Sequence, residues 1–333
     1  MRDSAREILR RAATEVRAGA RVAREASLAP PPSPSSLRRF GYGVALPFSV
    51  LRGVLADPFA RRQYLRATLT QAAVTLVVGA ALTLSSHRLE ERFDGRDGMS
   101  VVIYEGLGFW SALYATLSVT EWLVVALSRQ YGDQVSRAAA VLAGVPPEDD
   151  LAPPRVRIDL RWMWRKLKRR LRGTKVFVSG LPLLWFAVLV PAFGSALHVA
   201  AVLAWGAYWT VVSAAAKTAH GWTDAAGVMR DAPGREPPPD PWFIRGFDRL
   251  TQTPIGRWWL PRLCLRLWRR LTLSMFPPCL SVEEAPWELA GIAVVRALAA
   301  LPGFYLLLRP LLPVAAAKAL LERRAEGLPQ GLQ

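Results

Sequence analysis

From Val176 to Ala216 the chain runs 41 residues without an Asp, Glu, Lys or Arg, with Lys175 and Lys217 on either side. As one straight helix this run would extend roughly 60 Å, about twice the ~30 Å hydrocarbon core of a bilayer. It therefore has to fold back on itself. Pro191-Ala-Phe-Gly194, near the middle, supplies the break: proline cannot continue the helical hydrogen-bond ladder, and glycine tolerates a reversed backbone. The segment reads as a membrane hairpin with arms at Val176–Val190 and Ser195–Ala216.

Three further regions are apolar enough to enter lipid. Ala67–Ser86 has no charge and is long enough to cross once. Val101–Leu127 is interrupted by Glu105 and Glu121, and Trp287–Leu320 holds two shorter arms around Leu301-Pro302-Gly303, carrying Arg296 and Arg309. A full crossing needs about 20 apolar residues, more than the 14 residues of Glu288–Leu301 supply. These lengths predict an all-α, polytopic integral membrane protein. It would have two full transmembrane helices and two helical hairpins short enough to be half-inserted.

Charge orients the spans. The net charge is +17, and the cations crowd residues 1–66, 155–175 and 217–270. The segment His87–Ser100 instead has three Arg against four acids. Basic flanks of apolar spans stay in the cytoplasm, so both termini and residues 128–174 and 217–286 are expected inside, with His87–Ser100 the sizeable outer loop. The charge flanks lipid-seeking segments, so nucleic acid is not expected as a partner. Residues 1–27 lack the apolar core of a secretory signal.

Four regions follow. Residues 1–36 are a basic amphipathic tail ending in the linker Ala29-Pro-Pro-Pro-Ser-Pro34. Residues 37–220 are the membrane domain, 221–286 a cytoplasmic insertion rich in Pro, Trp and Arg, and 287–333 the closing hairpin and tail. Phe40–Ala56 predicts a helix along or dipping into the membrane surface, turning at Asp57-Pro58. Tyr131–Gly144 predicts a helix ended by Gly144. The stretches 155–175 and 258–271 pair apolar stripes with arginines and Trp, a pattern suited to anionic headgroups at an interface.

Little points to an enzyme. His87, His198 and His220 have no Cys, Asp or Glu at metal-ligand spacing, and there is no phosphate-binding Gly-rich loop or Gly-x-Ser-x-Gly elbow. No catalysis, cofactor or metal is expected, and Cys264 and Cys279 read as small apolar residues. Ionisable groups inside apolar spans say more, because burying a charge in lipid demands a partner or a water cavity. Arg296 and Arg309 either snorkel to the interface or line an anion route. Glu105 either pairs with an outer-loop Arg or joins a pathway. Glu121 reads as an interfacial side chain.

Three stretches resemble the CysZ sulfate-permease family and its relatives, the etoposide-induced ER membrane proteins. Gly43-Val-Ala-Leu-Pro-Phe-Ser-Val-Leu-Arg52 with Asp57-Pro58-Phe-Ala-Arg61-Arg62 is similar to that family's short helix and turn before the first span. Pro191-Ala-Phe-Gly194 with Trp205 and Trp209 is similar to its central hairpin, and Ala300–Pro310 to its closing one. The chain departs at Phe59-Ala60, where the family has Gly-Leu, at Thr70-Gln71, at the missing acid before Lys217, and in residues 221–286. The resemblance implies two full spans, two half-inserted hairpins and an inner-membrane permease for an inorganic anion such as sulfate. Arg61 and Arg62 are the expected anion-binding residues. They follow a proline turn and start a helix, where free N–H groups, the helix dipole and two guanidinium forks favour an anion. Positive-inside anchoring is their other reading. The competing class is a structural or lipid- or partner-binding membrane protein that passes no solute. Either class leaves a homo-oligomer open.

Overall fold

The computed structural model describes residues 35–90, 129–148, 193–224, 226–230, 236–253, 259–299 and 304–327. It also describes isolated helical positions at 13, 14, 17, 120, 124, 164, 168, 171, 174, 177–181 and 184. Among the described residues all regular structure is helical, apart from one isolated bridge between Thr223 and Met229. In chain order the helices are α1 (Ser36–Ala56), α2 (Pro58–Glu90), α3 (Arg129–Leu142), α4 (Gly194–Ala215), α5 (Trp242–Thr251), α6 (Trp259–Thr272), α7 (Phe276–Glu284), α8 (Pro286–Leu298), α9 (Phe304–Leu308) and α10 (Leu312–Gly327).

The chain turns by 111° between α1 and α2, for local reasons. Asp57 precedes a proline and is therefore pushed into extended backbone, φ −80° and ψ 122°. Pro58 then opens α2, a position where its missing N–H costs nothing. Asp57 caps the new helix: its Oδ1 accepts from Ala60 N at 2.7 Å and its main-chain oxygen from Arg61 N at 2.9 Å. The helix α3 ends as its sequence foretells. Gly144 adopts φ +70°, and Val145 N donates back to Ala140 O at 2.8 Å, closing the last turn.

Two buried clusters hold the helices together, and α1 and α10 run through both. The larger joins Tyr42 and Leu46 of α1, Trp209 and Val212 of α4, Phe276 of α7, Leu289 and Ile292 of α8, and Leu320 of α10. The smaller joins Val50 and Val54 of α1, Ala60 and Tyr64 of α2, Val135 and Ala139 of α3, and Val314 and Ala317 of α10. Residues 221–286, read from sequence as an insertion, supply α5, α6 and α7, and Phe243, Trp268 and Phe276 of these lie in the larger cluster.

The central hairpin is visible where both arms are described. Trp205 Nε1 donates to Phe177 O at 3.1 Å, and His198 Nδ1 lies 3.0 Å from Leu184 O. Gly180 makes room for the Trp205 ring, which a Cβ there would meet at 2.5 Å. Among the described residues one helix is long and apolar enough to cross a membrane, α4, and little of its apolar stretch is buried. The α1–α2 pair, taken together with its bend, passes the same test. In the closing segment, α8 spans 13 residues and the return arm is split by a turn into α9 and α10.

Candidate functional site

The helix α2 is built inside out. Its polar residues Thr68, Gln71 and Thr75 repeat at spacings of three and four, which places them on one face, and that face is buried, each keeping only 6–8% of its surface. Leu69, Leu76 and Val77 are 64–69% exposed. Thr120, in the second predicted span, is buried as well, and the hydroxyls of Thr75 and Thr120 are enclosed without a hydrogen-bond partner. In water this distribution forfeits burial free energy on both faces.

The start of α2 carries the predicted anion residues. Arg61 and Arg62 are exposed, one turn after the Asp57 cap. The Ala60 N–H that a helix start could offer an anion is taken by the Asp57 carboxylate, so an anion here would rest mainly on the guanidinium groups. Tyr64, one turn on, donates to Leu307 O at 3.0 Å and ties this corner to the α9–α10 turn, which carries Arg309. Arg309 lies over α3, its Nη1 3.3 Å from where a Cβ on Gly132 would stand. Among the described residues, the side chains of Arg52, Arg61, Arg62, Arg66 and Arg309 have no hydrogen bond or ion pair. The result is a corner of unpaired cations at the foot of a helix with a polar inner face.

Arg296 lies in the last turn of α8 and is half-buried. Glu105 and Glu121 lie outside the described residues. Among the described residues no group of His, Cys, Asp and Glu could hold a metal.

A second polar region went unrecognised in the sequence. Glu284, ending α7, takes Arg324 Nε at 2.9 Å on Oε2 and Arg230 on Oε1. Arg324 also donates to the carbonyls of His220 and Thr223, each at 2.9 Å, and Arg230 to Pro277 O at 3.0 Å. Glu148 clasps the turn after α4, accepting from the Thr218 hydroxyl and from Ala219 N at 2.8 Å. Nearby, Tyr42 donates to Glu322 Oε2 at 2.6 Å, and Arg39 reaches Glu288 at 3.4 Å. Burial holds the Glu288 carboxyl above its ordinary value despite the Arg39 charge, and holds Glu322 up despite the Tyr42 bond. These contacts join residues 39 to 324 and so have no local signature. The Thr68-Gln71-Thr75 spacing was legible, but absence of charge masked it.

Compared with protein-family models, curated proteins and solved structures, the chain matches none.

Proposed function

We propose that this protein is a multi-pass inner-membrane protein that assists the passage of an inorganic anion, in the manner its resemblance to the CysZ family implies. One observation carries the reading: α2 turns leucines outward and hydroxyl and amide groups inward, with unpaired arginines at its foot. Lipid satisfies the outer face, because apolar side chains need no partner there. Neutral donors inside can solvate an anion without trapping it as a fixed charge would. Arg61, Arg62 and Arg309 would gather anions at the mouth by their summed field. Both termini lie in the cytoplasm on this reading, in keeping with the basic flanks.

A second reading is a lipid-binding scaffold that passes no solute; the exposed apolar and basic faces of α6 favour it. Sulfate flux into liposomes holding the purified full chain separates the two. Flux above that of empty liposomes, lost in the Arg61→Ala/Arg62→Ala variant while insertion is kept, supports passage. Flux equal to empty liposomes refutes it.

A further inference from the structure

The helix α4 has a sequence of environments along its axis. Its C-terminal end runs into the Glu148 clasp and the Arg324 contacts. Midway, an aromatic collar packs against one face of it: Trp205 lies 5.4 Å from Trp209, 5.7 Å from Phe243 of α5 and 6.0 Å from Trp268 of α6. Beyond the collar, Ser195–Ala204 stand mostly in the open, with Leu197, Val199 and Leu203 exposed and Phe193 at the tip. Ten helical residues rise roughly 15 Å, the thickness of one leaflet's hydrocarbon. The collar therefore marks the level where such a hairpin would meet the membrane surface.

At that level α6 shows three faces. Trp268 and Thr272 are buried inward. Leu263, Leu267 and Leu271, four residues apart, form an apolar stripe, and Leu267 and Leu271 are exposed, as is Trp259 at the helix start. Arg262, Arg266 and Arg270 stand one residue back, roughly 100° round the helix. All three are exposed, and among the described residues none has an ion pair, whereas Arg269 is held by Asp240 at 3.1 Å. An apolar flank, a cationic flank and exposed Trp describe a helix lying in an interface.

We propose that α6 is a surface anchor on an anionic bilayer, with Leu263, Leu267 and Leu271 in the acyl boundary and Arg262, Arg266 and Arg270 on phospholipid headgroups. Held there, α6 fixes the collar at the interface and limits the central hairpin to one leaflet. The occupant is a bilayer rather than a protein groove because Trp268, beside the stripe on α6, packs on Trp205 of α4, the residue that directly follows the bare apolar stretch Ser195–Ala204. The cationic flank complements anionic headgroups, each arginine near such a surface favouring binding roughly fivefold. This inference rests on the reading that α4 enters lipid.

The test uses the full chain in vesicles of phosphatidylcholine and phosphatidylglycerol, with Cys264 and Cys279 replaced by Ala. A bimane label is placed at Leu197→Cys or Leu267→Cys, with nitroxide-bearing lipids as quenchers. Position 267 should be quenched most by a nitroxide near the headgroups, and severalfold better by labelled phosphatidylglycerol than by labelled phosphatidylcholine. Arg262→Gln/Arg266→Gln/Arg270→Gln should abolish that preference. Quenching at 197 but not at 267 overturns the anchor and leaves the membrane reading intact. No quenching at either position overturns both. Quenching at 267 without a phosphatidylglycerol preference overturns the headgroup contact.

Discussion

Gly43 of α1 and Gly291 of α8 meet backbone to backbone where the two helices cross. A Cβ on Gly43 would stand 2.0 Å from Glu288 O, and one on Gly291 2.4 Å from Phe40 O. The obstacles are main-chain atoms of packed helices and cannot rotate away. Gly43→Ala or Gly291→Ala is expected to cost about 3 kcal/mol or more, the upper end of overpacking. Gly53, in the same helix α1, has nothing within 4 Å of its Cβ position, so Gly53→Ala should gain about 0.5–1 kcal/mol. Thermal melts of the three variants in detergent check the contrast.

Glu284 joins two guanidinium groups that are almost wholly enclosed, those of Arg324 and Arg230. Removing the shared carboxylate leaves both cations uncompensated. Glu284→Ala should destabilise by about 3 kcal/mol, the low end for a broken buried pair because Glu284 itself keeps some solvent contact. A melt unchanged from wild type would contradict the node's role.

Acidification should stabilise the fold through Glu288. Its carboxyl is raised by burial, so between its unfolded value of 4.5 and the raised folded value the native state binds more protons. Stability then falls as pH rises through that window. His220 works oppositely: burial lowers its folded value, so stability falls as pH drops below 6.5. Glu288→Gln should lessen the first slope, leaving the part that the likewise raised Glu322 contributes, and leave the second. Melting temperatures from pH 4.5 to 8 in wild type and variant read both effects, and identical slopes would refute the assignment to Glu288.

The two thiols should differ sharply. Cys279 is wholly buried and its thiol is pushed up to about 12, first by burial, while Cys264 is partly exposed. At pH 8 about one Cys279 in ten thousand would be thiolate, the reactive form. Maleimide should modify one cysteine in the native protein, Cys264, and two after unfolding; mass spectrometry of labelled peptides reports it.

Where the sequence carried local information, it foretold local structure. The absence of charge from 176 to 216 and the Pro191–Gly194 break predict a second arm at Ser195–Ala216, and α4 spans Gly194–Ala215. Asp57-Pro58 predicts the turn, and Gly144 the end of α3. What escaped were pairings between distant residues. Residues 221–286 read as an insertion rich in Pro, Trp and Arg, and nothing local says that Phe243 and Trp268 pack around Trp205. The Asp57 carboxylate was legible as part of a turn, yet its occupation of the helix start at Ala60 N depends on geometry that spacing alone does not fix. The stretch 155–175 and most of the first hairpin arm lie largely outside the described residues.

On the proposed function, α2 runs through a bilayer with its leucine face in lipid. Single cysteines at Leu76→Cys and Arg62→Cys, in a chain lacking Cys264 and Cys279, test it in open membrane fragments where both surfaces meet a membrane-impermeant maleimide. The account predicts prompt labelling at 62 and none at 76 until SDS dissolves the bilayer and unfolds the chain. Labelling at 76 as fast as at 62 in the intact membrane would contradict it.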